Sequence, residues 1–106
     1  MNEFIDVEGA SGGRYRFRLM RDLGDLPATA GNFVFVRREA GVAKVVGCGS
    51  ANSLMEVGKL WSRAVEQHQA DGLYVYLSVA RRMRTDVHQD IAEKHRPALV
   101  SVELDQ

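Results

Sequence analysis

One cysteine (Cys48), two prolines and no long apolar run are what this chain of 106 residues has little of. A lone cysteine excludes an internal disulfide and a thiolate zinc cage, and it suits a reducing compartment. An excess of one charge is missing too, because 14 basic side chains cancel 14 acidic ones. No general attraction to phosphate backbones or anionic lipid is therefore expected, and any such binding must come from a local patch. No apolar stretch approaches the roughly 20 residues that span a bilayer, and Met1-Asn2-Glu3-Phe4 lacks the basic and apolar regions of a signal peptide. The expected location is the cytoplasm, with no membrane partner. What is present is a 45% hydrophobic content, enough for one core, and a length that fits a single domain over 1–106.

Along the chain, Ile5 and Val7 alternate with Asp6 and Glu8. A glycine-rich turn follows, and Tyr15, Phe17 and Leu19 then alternate with Arg14, Arg16 and Arg18. This predicts an N-terminal β-hairpin over 1–21, its acids opposite its arginines on the solvated face. A connecting loop is expected over Asp22–Ala30. The segment Gly31–Arg37 carries Phe33 and Phe35 on one face and Val34 and Val36 on the other, which calls for a central strand. Glu39-Ala40-Gly41 supplies a turn, and Ala43–Gly47 returns. Ser53-Leu54-Met55-Glu56 has the form of a capping box, so a helix is expected from about Leu54, its apolar stripe formed by Leu54, Val57, Trp61 and Val65. Leu73–Val79 alternates as a strand, with Tyr74, Tyr76 and Ser78 on one face. Thr85 is the expected cap of a second helix running to His95, which Pro97 stops. Val100, Val102 and Leu104 alternate as a last strand. The order ββ, ββ, α, β, α, β predicts an α+β architecture, with two main helices on a small mixed or antiparallel sheet.

Several residues invite chemistry. His88 and His95 lie two helical turns apart, with Arg84 one turn before His88; a metal site there needs a third ligand, for which His68 or Asp90 would serve. Ordinary helix-surface histidines are the simpler reading, and no metal is expected. Gly47-Cys48-Gly49 lacks the third glycine of a dinucleotide fingerprint and is followed by no phosphate-loop lysine, so no cofactor is expected. Cys48 has no activating histidine placed by the sequence and reads as inert. The strongest basic cluster is Arg81, Arg82 and Arg84, with Arg63 on the preceding helix and Tyr74 and Tyr76 as candidate base-stacking platforms. Its plainer reading is solvated arginines beside tyrosines packed under a helix.

The triplets Gly31-Asn32-Phe33 and Val45-Val46-Gly47, with the loop Gly49–Leu54 before a helix, resemble the opening of the GIY-YIG nuclease family. The resemblance covers about 31–100 and implies a core of that type behind the N-terminal hairpin. It also implies what has been replaced: Phe33 and Val45 stand at the family's tyrosine positions, Met55 or Glu56 at its arginine, His88 at its metal-binding glutamate and Val100 at its asparagine. Phe33 and Val45 carry no hydroxyl, and the loss of a general base alone costs about 10²–10⁴ in rate. The expected function is accordingly a noncatalytic module that associates with DNA or RNA through a local basic patch. A protein-interaction or self-associating module is the alternative, and a divergent metal-dependent nuclease using His88 is a third reading.

Overall fold

The computed structural model describes residues 3–104, without the side chains of residues 101–103. The strands are β1 (Phe4–Glu8), β2 (Arg14–Leu19), β3 (Gly31–Glu39), β4 (Val42–Ala51), β5 (Gly72–Leu77) and β6 (Leu99–Leu104), and the helices are α1 (Trp61–His68) and α2 (Arg81–His95). They form a small compact α+β domain around a mixed six-stranded sheet of order β1-β2-β5-β3-β4-β6. Neighbouring strands are antiparallel except β4 and β6. The double-faced apolar segment is central as its composition requires: β3 lies between β5 and β4, with Phe33 and Phe35 on one side and Val34 and Val36 on the other, all buried.

Two layers of core result. Phe33, Phe35, Val46, Leu73 and Val75 meet Leu54, Val57 and Ala64 from α1 and the segment before it. On the opposite face Phe17, Leu19, Val34, Val36, Val45 and Tyr74 meet Val87 and Ile91 of α2. Each fully buried large side chain contributes roughly 1.5–3 kcal/mol of transfer free energy. The two helices thus flank the sheet, one on each face. Close approach explains two glycines. A Cβ on Gly31 would stand 2.5 Å from the Tyr76 carbonyl oxygen, and one on Gly47 would stand 2.7 Å from that of Leu99.

Four expected boundaries differ. The return strand runs on past Gly47 to Ala51, because Gly49, Ser50 and Ala51 pair with Phe33, Asn32 and Gly31, so the expected loop Gly49–Leu54 is strand over its first half. The capping box does not form, since the Ser53 side chain makes no cap hydrogen bond and Glu56 instead pairs with Lys59. Leu54–Leu60 is a 3-10 segment, and the α-helix begins only at Trp61. Leu54 and Val57 are both buried three residues apart, the spacing that a 3-10 turn stacks on one face. The second helix starts at Arg81, four residues before Thr85, with Ala80 as its cap. β5 stops at Leu77, and Val79 beyond it is 79% exposed. The last strand forms as expected over Leu99–Leu104, although the Val102 side chain lies outside the described ones. Among the described residues no helix is long and apolar enough to cross a membrane.

Candidate functional site

The positions that carry the nuclease resemblance do not converge. Phe33 packs in the core layer under α1, Val45 packs in the layer under α2, and Met55 and Val100 are solvent-exposed. His88 is no surface histidine: only 5% exposed, it lies on α2, its Nδ1 has no hydrogen-bond partner, and burial pushes its pKa below the usual histidine value. His95 points elsewhere, placing Nε2 2.8 Å from the Glu8 carbonyl oxygen. Among the described residues no three His, Cys, Asp or Glu side chains gather to hold a metal. Burial alone pushes the Cys48 thiol up to about 12, so it stays protonated.

The arginine–tyrosine patch is divided by the fold. Arg84 is buried, and its guanidinium donates to the carbonyls of Ser78 (3.3 Å) and Val79 and to Asn52 Oδ1 (2.9 Å). Those bonds pin the turn between β5 and α2, which is why the helix begins before Thr85. Asn32, equally buried, donates from Nδ2 to the Arg84 carbonyl at 2.9 Å. Tyr74 is completely buried and offers no ring face to a base. Tyr76 is half-buried and packs against Tyr15 and Phe17, with ring centroids 5.9 and 5.4 Å away. Arg81 and Arg82 remain exposed on the first turn of α2, whereas Arg63 is exposed on α1, across the sheet.

A different surface gathers charge and apolar groups. β2 and β5 pair only through Arg18↔Val75 and Leu19↔Tyr74, extended by the Met20 amide donating to the Leu73 carbonyl at 2.8 Å. Beyond Arg18 the ladder ends and leaves a wedge, closed on the α2 side by Tyr76 packed on Tyr15 and Phe17. Antiparallel alternation aims the amide and carbonyl of Arg16 and Leu77 into that wedge, and no ladder pairing joins them. The wedge opens into a cleft of about 740 Å3 lined by Arg16, Arg18, Arg21, Met20, Val75 and Leu77, with Glu3 and Asp25 also on its wall. A smaller recess of about 260 Å3 reaches Trp61 and shares Leu19, Met20 and Arg21 with the first.

The electrostatics follow from the hairpin register. Asp6 faces Arg16 and Glu8 faces Arg14, with Asp6 Oδ1 3.4 Å from Arg16 Nε, but the residue opposite Arg18 is Phe4. Arg16 also lies over the Phe4 ring, 5.7 Å from its centroid. Among the described residues, the Arg18 and Arg21 side chains form no ion pair or hydrogen bond. Sequence reasoning paired the acids and arginines of this hairpin in bulk and missed the cleft. The available signal was Phe4, two residues before Asp6, which leaves the third arginine of the stripe without an opposing acid. Compared with known proteins, the chain finds no significant match among family models, curated proteins or solved structures.

Proposed function

We propose that this chain is a noncatalytic binding domain on a GIY-YIG-like core, with the β2–β5 cleft as its working surface and a protein as its partner. The core reading is supported by the β3–β4 hairpin followed by a helical segment, and by Gly31 and Gly47, which close packing requires at the two triplets. The noncatalytic reading is supported by the burial of Phe33 and Val45 in separate layers and by the desolvated His88. One observation carries the choice of surface: where the β2–β5 ladder ends, two guanidiniums with no ion-pair partner among the described residues, an apolar wall and unpaired strand backbone share one concavity. A nucleic-acid ligand needs a run of phosphate contacts, and here Arg84 and Tyr74 are withdrawn while Arg63 lies across the sheet.

The second reading, association with DNA or RNA, is favoured by the exposed Arg81 and Arg82. Two assays decide between them. Magnesium-dependent cleavage of single-stranded, duplex and branched DNA is expected to be absent; robust turnover that His88→Ala abolishes would overturn the noncatalytic reading. A gel-shift titration over salt is expected to show no steeply salt-dependent DNA complex. Such a complex, lost in an Arg81→Ala/Arg82→Ala variant, would replace the protein partner with nucleic acid.

A further inference from the structure

Resting on that reading of the cleft, we infer that its occupant is an extended, acidic segment of a partner protein that adds to the sheet where the β2–β5 ladder ends. Two independent features point to this ligand chemistry. The first is backbone. Arg18↔Val75 is the last paired rung; Phe17 and Tyr76 would follow it, and the next rung to exchange hydrogen bonds would join Arg16 to Leu77. Because residues alternate in pointing left and right along an antiparallel strand, the N–H and C=O of both residues face the opening. On its other side β5 is fully used, with Leu77 opposite Gly31 and Tyr76 opposite Asn32. An incoming strand therefore finds one donor–acceptor pair on each wall of the wedge, and main-chain pairing of this kind is indifferent to the ligand's side chains.

The second feature is charge, which selects the side chains. Arg16, Arg18 and Arg21 line the cleft against Glu3 and Asp25, so three positive groups oppose two negative ones. Arg16 already has Asp6, but Arg18 and Arg21 have no acid at ion-pair distance among the described residues. A carboxylate on the ligand receives a planar guanidinium fork from either of them. Between the arginines the wall is Leu19, Met20, Val75 and Leu77, the last 62% exposed. Arg18 stands opposite Val75, so the guanidiniums share one face of the sheet with Val75 and Leu77; a strand that alternates acid with apolar residue turns its acids toward them and its apolar groups toward the other face, where Phe17 and Tyr76 lie. The recess at Trp61 shares Leu19, Met20 and Arg21 with the cleft.

The test is a titration of the isotope-labelled full chain, followed by amide chemical shifts, with a short peptide of alternating glutamate and valine. Its controls are the lysine–valine counterpart, a glutamate–valine peptide N-methylated on alternate backbone nitrogens, and oligo-dT. Expected are saturable shifts centred on the Arg16 and Leu77 amides, with the N-methylated and lysine peptides at least about tenfold weaker. Arg18→Glu/Arg21→Glu should weaken the glutamate–valine peptide by a similar factor; both positions are exposed, so the variant should fold. Equal binding of the lysine peptide, or of the N-methylated peptide, overturns the acidic-strand inference while leaving a protein partner in place. Absence of saturable shifts with the glutamate–valine peptide overturns it too. Oligo-dT that displaces the peptide and binds more tightly overturns the protein-partner reading itself. Concentration-dependent self-association that Leu77→Arg removes makes a second copy the occupant and also overturns the inference.

Discussion

Two flanks of β5, the turn that leaves it for α2 and the edge that faces β2, use arginine in opposite ways. At the turn into α2, Arg84, Asn32 and Tyr74 are turned inward: the arginine is bound by Ser78, Val79 and Asn52, and the tyrosine lies under the helix. At the edge facing β2, Arg18 and Arg21 stand in a cleft with neither ion pair nor hydrogen bond among the described residues, beside an exposed Leu77. A buried guanidinium is tolerated only when acceptors surround it, so the first flank is a fastening. The second flank has no such requirement from folding and is the region free to meet a ligand. Counting arginines and tyrosines along a chain does not separate the two.

This contrast can be broken most forcefully at Arg84. Arg84→Met removes the guanidinium that donates to the carbonyls of Ser78 and Val79 and to Asn52 Oδ1. A loss of about 2–4 kcal/mol in urea-unfolding stability is expected. An unchanged midpoint would make this flank as dispensable as the other. Next is Phe33→Tyr, which places a hydroxyl where the nuclease resemblance would put a tyrosine, at a position that is 1% exposed. It should cost about 1–3 kcal/mol by overpacking and an unsatisfied polar group, and it should confer no DNA cleavage.

A smaller effect is pH-dependent. Burial holds the folded pKa of His88 below its ordinary 6.5, so the unfolded chain takes up the proton first as the pH falls through that value. Stability is then intact above about pH 6.5 and declines as the pH drops toward the folded pKa. His88→Gln should flatten the part of that decline that begins near 6.5, which unfolding midpoints on either side of that pH will reveal. The smallest effect belongs to the cleft: Arg18→Ala and Arg21→Ala should each change stability by no more than about 0.5 kcal/mol, as measured by thermal melts. A larger loss would mean that these arginines also hold the fold together.

Much of the sheet was readable from periodicity. The acid–arginine hairpin and the doubly apolar central strand appear in the expected roles, and so does the alternating Leu73–Val79 segment up to Leu77. Misreadings fell where local signals compete with tertiary packing. Ser53 and Glu56 spell a cap, but Glu56 has a nearer partner in Lys59, and burial of Leu54 and Val57 favours a tighter turn. Thr85 is a good cap on paper, yet the Arg84 guanidinium holds the preceding carbonyls and allows the helix to start earlier. The cleft was hidden because its outline depends on how far β2 follows β5, which no residue pattern in either strand states.

Residue order alone dictated which segments alternate, which strand needs cover on both sides, and that Phe33 and Val45 bring no hydroxyl to any reaction. Those are properties of side-chain chemistry and of periods of two or three to four residues, and they need no neighbours. The assignment of α1 and α2 to opposite faces, the burial of Arg84 and His88, and the end of the β2–β5 ladder arose only on folding. Each depends on contacts between segments distant in the chain, where desolvation and close packing decide which polar groups turn inward and which stay in water.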